Sequence, residues 1–70
     1  MKDSLFRTLL KKYDAQIEDA LYKIDALDEN NIIIPEHIDI TGEVDKLLQI
    51  ITDAEDKMAT LRQLYGKKEA

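Results

Sequence analysis

The chain has no cysteine and no tryptophan, and only one proline, one histidine and two glycines among 70 residues. Without cysteine there are no disulfides, no thiolate metal sites and no cysteine nucleophile, so nothing signals an oxidising compartment. Glycine is too sparse for a phosphate-cradling loop, since Gly42 and Gly66 stand alone, each at the edge of a helical pattern. A membrane-length apolar run is also missing. The uncharged stretch from Asn30 to Pro35 is far short of the ~20 apolar residues that a spanning helix needs. Met1-Lys2-Asp3-Ser4 leads into charged sequence with no signal-peptide pattern, so a cytoplasmic location is the expectation. So short a chain makes one domain, near the lower size limit at which a hydrophobic core sustains itself.

Positive charge is scarce in the middle of the chain. Residues 14–56 hold thirteen acids against Lys23 and Lys46, a local balance of −11 within a net charge of −5. Residues 1–13 set Lys2, Arg7, Lys11 and Lys12 against Asp3, and residues 57–70 set Lys57, Arg62, Lys67 and Lys68 against Glu69, each giving +3. If the chain folds back on itself, both basic segments meet at one end and the acids occupy the rest.

The single proline marks where it folds back. Pro35 lacks an N–H donor and clashes with the preceding helical turn, and it pushes Ile34 towards an extended conformation. Asn30 and Asn31 before it tolerate the left-handed geometry that often ends a helix. We therefore expect a bend over residues 30–40 between two helices, about residues 4–29 and 41–65, with a basic tail at 66–70.

Apolar residues carry the pattern of both helices. Phe6, Leu10, Tyr13, Ile17, Ala20, Ile24 and Leu27 advance by alternating steps of four and three, a heptad seam with Leu10, Ile17 and Ile24 at a and the others at d. The second seam runs Ile40, Val44, Leu47, Ile51, Ala54, Met58, Leu61 and Tyr65. Asp3 or Ser4 can cap the first helix; Thr41 is the expected cap of the second, with Asp39 its competitor. Gly66 stands where a C′ glycine ends a helix, and Lys67 and Lys68 suit the negative end of the helix dipole.

One register aligns the two seams. With Pro35–Glu36 at the apex, facing residues have numbers summing to about 71, which pairs Phe6 with Tyr65, Leu10 with Leu61, Tyr13 with Met58, Ile17 with Ala54, Ala20 with Ile51, Ile24 with Leu47 and Leu27 with Val44. Every layer is apolar, and each alanine faces an isoleucine, as dense packing prefers. The fold class that follows is all-α, an antiparallel, coiled-coil-like two-helix hairpin.

The flanks of that hairpin look unfinished. On the e edge the register sets Arg7 near Arg62, Asp14 near Glu55 and Leu21 near Leu48; on the g edge, Leu9 near Leu64, Gln16 near Lys57 and Lys23 near Ile50. Like charges across an edge do nothing for an isolated hairpin, and the off-seam Leu9, Leu21, Leu48, Ile50 and Leu64 widen the apolar face beyond what one helix covers. The expectation is completion into a helical bundle, four helices enclosing a core that two cannot. The e edge is the first choice for a partner surface. A two-fold axis near the Leu10/Leu61 layer would oppose its positive and negative layers. The isoleucine-rich bend, with Ile32, Ile33, Ile34, Ile38 and Ile40, is either a hydrophobic plug for the acidic end or a docking patch.

The residues of reaction chemistry are not assembled. His37 lies between Glu36 and Asp39, but a transition-metal site needs three or four converging ligands. Ser4 has no base partner, and Glu18-Asp19 and Glu55-Asp56 are neighbours that point apart on a helix. We therefore expect no catalytic, cofactor or metal site, no small-molecule ligand and no membrane partner. The expected function is a non-enzymatic protein–protein interaction module, self-associating or binding a larger helical protein in an assembly, accessory or inhibitor role. The competing class is a nucleic-acid-associated regulator that uses Lys2, Arg7, Lys11, Lys12, Arg62, Lys67 and Lys68. The acidic remainder of the chain, which repels a polyanion, argues against it.

Overall fold

The computed structural model describes residues 1–29 and 39–66. The described residues form two α-helices packed side by side as an antiparallel hairpin, α1 (Asp3–Glu29) and α2 (Ile40–Tyr65), with no strand among them. At 27 and 26 residues each helix is about 40 Å long. The molecule is a rod of 54 × 16 × 15 Å, one helix pair thick. Its radius of gyration of 16.2 Å compares with about 11 Å for a compact domain of this length. No helix among the described residues is long and apolar enough to cross a membrane.

Both helices begin earlier than the capping residues suggest. In α1 the Phe6 amide donates to the Lys2 carbonyl at 3.0 Å, which makes Lys2 the cap position and puts Asp3 and Ser4 inside the first turn. Asp3 there still favours the positive end of the helix dipole. In α2 the cap is Asp39, not Thr41. Its backbone is extended (φ −89°, ψ 90°) and its Oδ1 accepts from the Gly42 amide at 3.0 Å and the Thr41 hydroxyl at 3.1 Å. Ile40, half-buried in the seam, is already helical, so the cap falls one position before it. Gly42 fits because a Cβ there would collide with the folded-over Asp39 carboxylate, lying 2.8 Å from its Cγ.

At the other end Gly66 is right-handed (φ −78°, ψ −23°) and its amide donates to the Arg62 carbonyl at 2.8 Å. It continues the helical hydrogen-bond pattern by one residue, so the left-handed C′ geometry expected of it is not used. Of the expected bend, Asp39 and Ile40 belong to the start of α2. Asn30, Asn31, Pro35, Glu36, His37 and the patch Ile32, Ile33, Ile34 and Ile38 lie outside the described residues, as do Lys67 and Lys68 of the tail.

The seams face each other. Phe6, Leu10, Tyr13, Ile17, Ile24 and Leu27 of α1, and Ile40, Val44, Leu47, Ile51 and Met58 of α2, are all half-buried, while Ala20, Ala54 and Leu61 are buried. Tyr65 departs from the pattern at 47% exposed, because α2 ends there and no further layer covers it. Ion pairs and side-chain hydrogen bonds such as Lys23–Asp19, Lys46–Glu43, Gln49–Asp53 and Thr8–Ser4 each stay within one helix. Apolar contact along the seam therefore holds the pair together.

The Asp39 cap has a pH signature. Its carboxyl is held below the ordinary aspartate value of 3.8, first by the Gly42 amide and then by the Thr41 hydroxyl. A carboxylate whose folded pKa is depressed contributes stability in full above its unfolded value and loses it as pH falls through the folded one. Asp39→Ala should fray the first turn of α2 and lower the thermal midpoint by a few degrees, whereas Asn, a comparable cap, should keep most of it. Melts of wild type and Asp39→Asn should differ by a constant offset near neutral pH. That offset should change only below pH 3.8, in the direction that removes the wild-type advantage.

Candidate interaction surface

Packing two helices leaves two long flanks, and the structure shapes them differently. On the e edge, Arg7, Asp14, Leu21, Leu48, Glu55 and Arg62 are all exposed, Leu21 and Leu48 at 44% and 50%. Among the described residues none of those four charges joins an ion pair. The edge is a ladder of like-charged layers, as the register implies.

The g edge is concave. One groove of about 310 Å³ is lined by Tyr13 of α1 and by Asp56, Lys57, Thr60, Leu61, Leu64 and Tyr65 of α2. A second, about 380 Å³, lies between Gln16 and Asp19 of α1 and Ile50, Asp53 and Lys57 of α2. Gln16 and Lys57 thus share a groove, as the register requires. Both hollows are open to solvent and at the small end of ligand pockets, a shape suited to receiving a side chain. Residues 57, 60, 61 and 64 have the i, i+3, i+4, i+7 spacing of the hole that accepts one knob in coiled-coil packing.

Small residues occupy the seam near the second groove. Ala20 and Ala54, each 1% exposed, are d residues on the g side, where a methyl group fills the space that leucine fills elsewhere. The groove beside Gln16 and Ile50 flanks this layer. Above it the Lys57 ammonium lies 5.8 Å from the centroid of the Tyr13 ring, a cation–π contact between the helices. Asp19 is paired with Lys23 at 2.9 Å, both side chains more than half exposed, so that pair contributes at most ~0.5 kcal/mol. Asp53 accepts from the Gln49 amide at 2.9 Å.

Of the apolar residues singled out on the g edge, Ile50 and Leu64 are exposed at 45% and 64%, while Leu9 is half-buried. Leu5, exposed at 50%, Asp53 and Thr60 do not stand out in the sequence, where Lys12 counts only as a possible phosphate contact and Asp19 only as half of an acid pair. Their c positions are the signal that marks them. A c residue flanks g on the outer wall of the same face, so the edge is wider than its g positions alone. Tyr22 is exposed at the f position, opposite the seam. Among the described residues no group of three His, Asp or Glu side chains is placed to hold a metal ion. Comparison with known protein families, curated proteins and solved structures finds no match.

Proposed function

We propose that this chain is a non-enzymatic protein–protein interaction module, a helical hairpin that completes its core against another helical surface, a second copy of itself in the first instance. One observation carries the reading. Among the described residues no large side chain is fully buried, and the buried set is two alanines and Leu61. A helix pair with a half-wet seam gains little from each layer, because apolar burial returns only about 25 cal/mol per Å² of surface removed from water. Leu5, Leu21, Leu48, Ile50 and Leu64 meanwhile stand 44–64% exposed along the flanks. Covering either flank with two more helices dries the seam from that side and buries the surplus, which is how bundles of four helices are built.

Mass action supplies the test. The thermal midpoint should rise with protein concentration, and sedimentation should return a mass above that of one chain. A concentration-independent midpoint together with a monomer mass overturns self-association and leaves a different helical protein as the surface to be found.

A further inference from the structure

We propose that the g edge is the self-association face, occupied by a second copy stacked upon it about a two-fold axis that crosses the helices near Gln16 and Glu55. The inference rests on the self-association reading and adds which face is used and which residues meet.

Charged and apolar positions on this edge match under one axis. Stacking about such an axis lays α1 antiparallel on α1 of the second copy, and α2 on α2. In α1, placing Lys12 opposite Asp19 of the second copy requires facing numbers that sum to about 31. In α2, placing Lys57 opposite Asp53 requires a sum of about 110. The two centres, between residues 15 and 16 of α1 and at residue 55 of α2, lie at nearly the same height, because the hairpin register sets residue 16 beside residue 55. One axis therefore satisfies both pairs, and two-fold symmetry repeats each, giving four oppositely charged contacts. The same axis sets Ile50 of the second copy opposite Thr60 and Leu61. That places it over the groove whose walls are Lys57, Thr60, Leu61 and Leu64. Leu5 falls opposite Ala26. A knob, a hole and the charge pairs on either side thus coincide in a single placement.

The e edge passes this test poorly. Opposing Arg7 to Asp14 centres α1 between residues 10 and 11, while opposing Arg62 to Glu55 centres α2 between 58 and 59, beside residues 12 and 13 of α1. The two demands differ by about two residues, or roughly 3 Å. Both also carry Leu21 and Leu48 beyond the described helices of the second copy. On the g edge the overlap runs from about residue 5 to residue 26 of α1, roughly 30 Å. Across the 16 Å width of the rod this covers roughly 500 Å² of each copy, at the weak end of specific interfaces. The dimer expected is micromolar, and sensitive to salt through its charge pairs.

Complementary charge-reversed variants test the placement. One carries Lys12→Glu and Lys57→Glu; the other carries Asp19→Lys and Asp53→Lys. All four positions are exposed, so far-UV circular dichroism should report full helicity in both. Alone, each variant brings four like-charged contacts together and should self-associate at least about thirtyfold more weakly than wild type. Mixed, they make all four contacts attractive, and a heterodimer should form at about the wild-type affinity. Ile50→Asp should abolish association in the wild-type background. If the wild-type chain is a dimer and each variant associates as well alone as wild type, the g-edge placement is wrong while self-association stands. Failure of the mixture to form heterodimers overturns the placement equally. A monomeric wild type removes the self-association reading and this inference with it.

Discussion

Leu61→Ala should lower the thermal midpoint by roughly 10–25 °C, the largest effect of any single truncation in this molecule. Among the described residues Leu61 is the one large side chain that is buried, at 8% exposed, and the seam register sets it opposite Leu10. Truncating a buried leucine costs about 2–5 kcal/mol through lost transfer energy and the cavity left behind. Domains of this length hold on the order of 4–10 kcal/mol in total, and 1 kcal/mol moves the midpoint of such a chain by about 4–8 °C. Tyr22→Ala is the matched control: Tyr22 is 73% exposed on the outer face of α1 and should change the midpoint by no more than a few degrees. Thermal melts followed by circular dichroism at equal, dilute concentration check both. Equal losses for the two variants would mean that the helices do not pack through this seam.

A cysteine pair at Ile17 and Ala54 should raise the midpoint on oxidation by an amount of similar size and opposite sign. The two positions share a layer in the register, and Ala54 is 1% exposed, so its side chain points into the helix pair. Closing a loop of about 37 residues removes roughly 4 kcal/mol of unfolded-chain entropy in the loop-closure model. The reduced form should be slightly weaker than wild type, because Ile17 loses part of its side chain. Oxidised at high dilution, the bridge should form within one chain and run as a monomer on a non-reducing gel. Bridges that appear only between chains would mean that the two seams belong to different molecules, as in a swapped dimer.

Much of this arrangement was legible without coordinates. Alternating steps of four and three along Phe6 to Leu27 and Ile40 to Tyr65 can be satisfied only by helices burying one stripe, and the seams' common register brings all but Tyr65 to the interior side. Boundaries were less legible where two residues offer the same chemistry. Asp39 and Thr41 are both good caps, and in the structure Asp39 takes the role by accepting from the Gly42 amide and from the Thr41 hydroxyl itself. Gly66 permits a left-handed cap without compelling one, and its amide found the Arg62 carbonyl in the ordinary helical way. Tyr65 keeps the seam's spacing, but spacing does not reveal that the last layer has no neighbour beyond it.

Ranking the two flanks needed the tertiary structure. In the sequence the e edge has the clearer pattern of charge layers, which is why it stands out there. Concavity, however, comes from side-chain volumes on two helices taken together, and from where Lys57 comes to rest. Its contact with the Tyr13 ring joins residues 44 positions apart, and the hollows beside it are walled by residues of both helices. The heptad spacing by itself determined two helices and the stripe each one buries, because backbone geometry ties a 3.5-residue repeat to one face. Which flank is hollow, where each helix begins, and which seam residues stay wet were decided by packing between helices, since volume and solvent access belong to the pair and not to either strand of sequence.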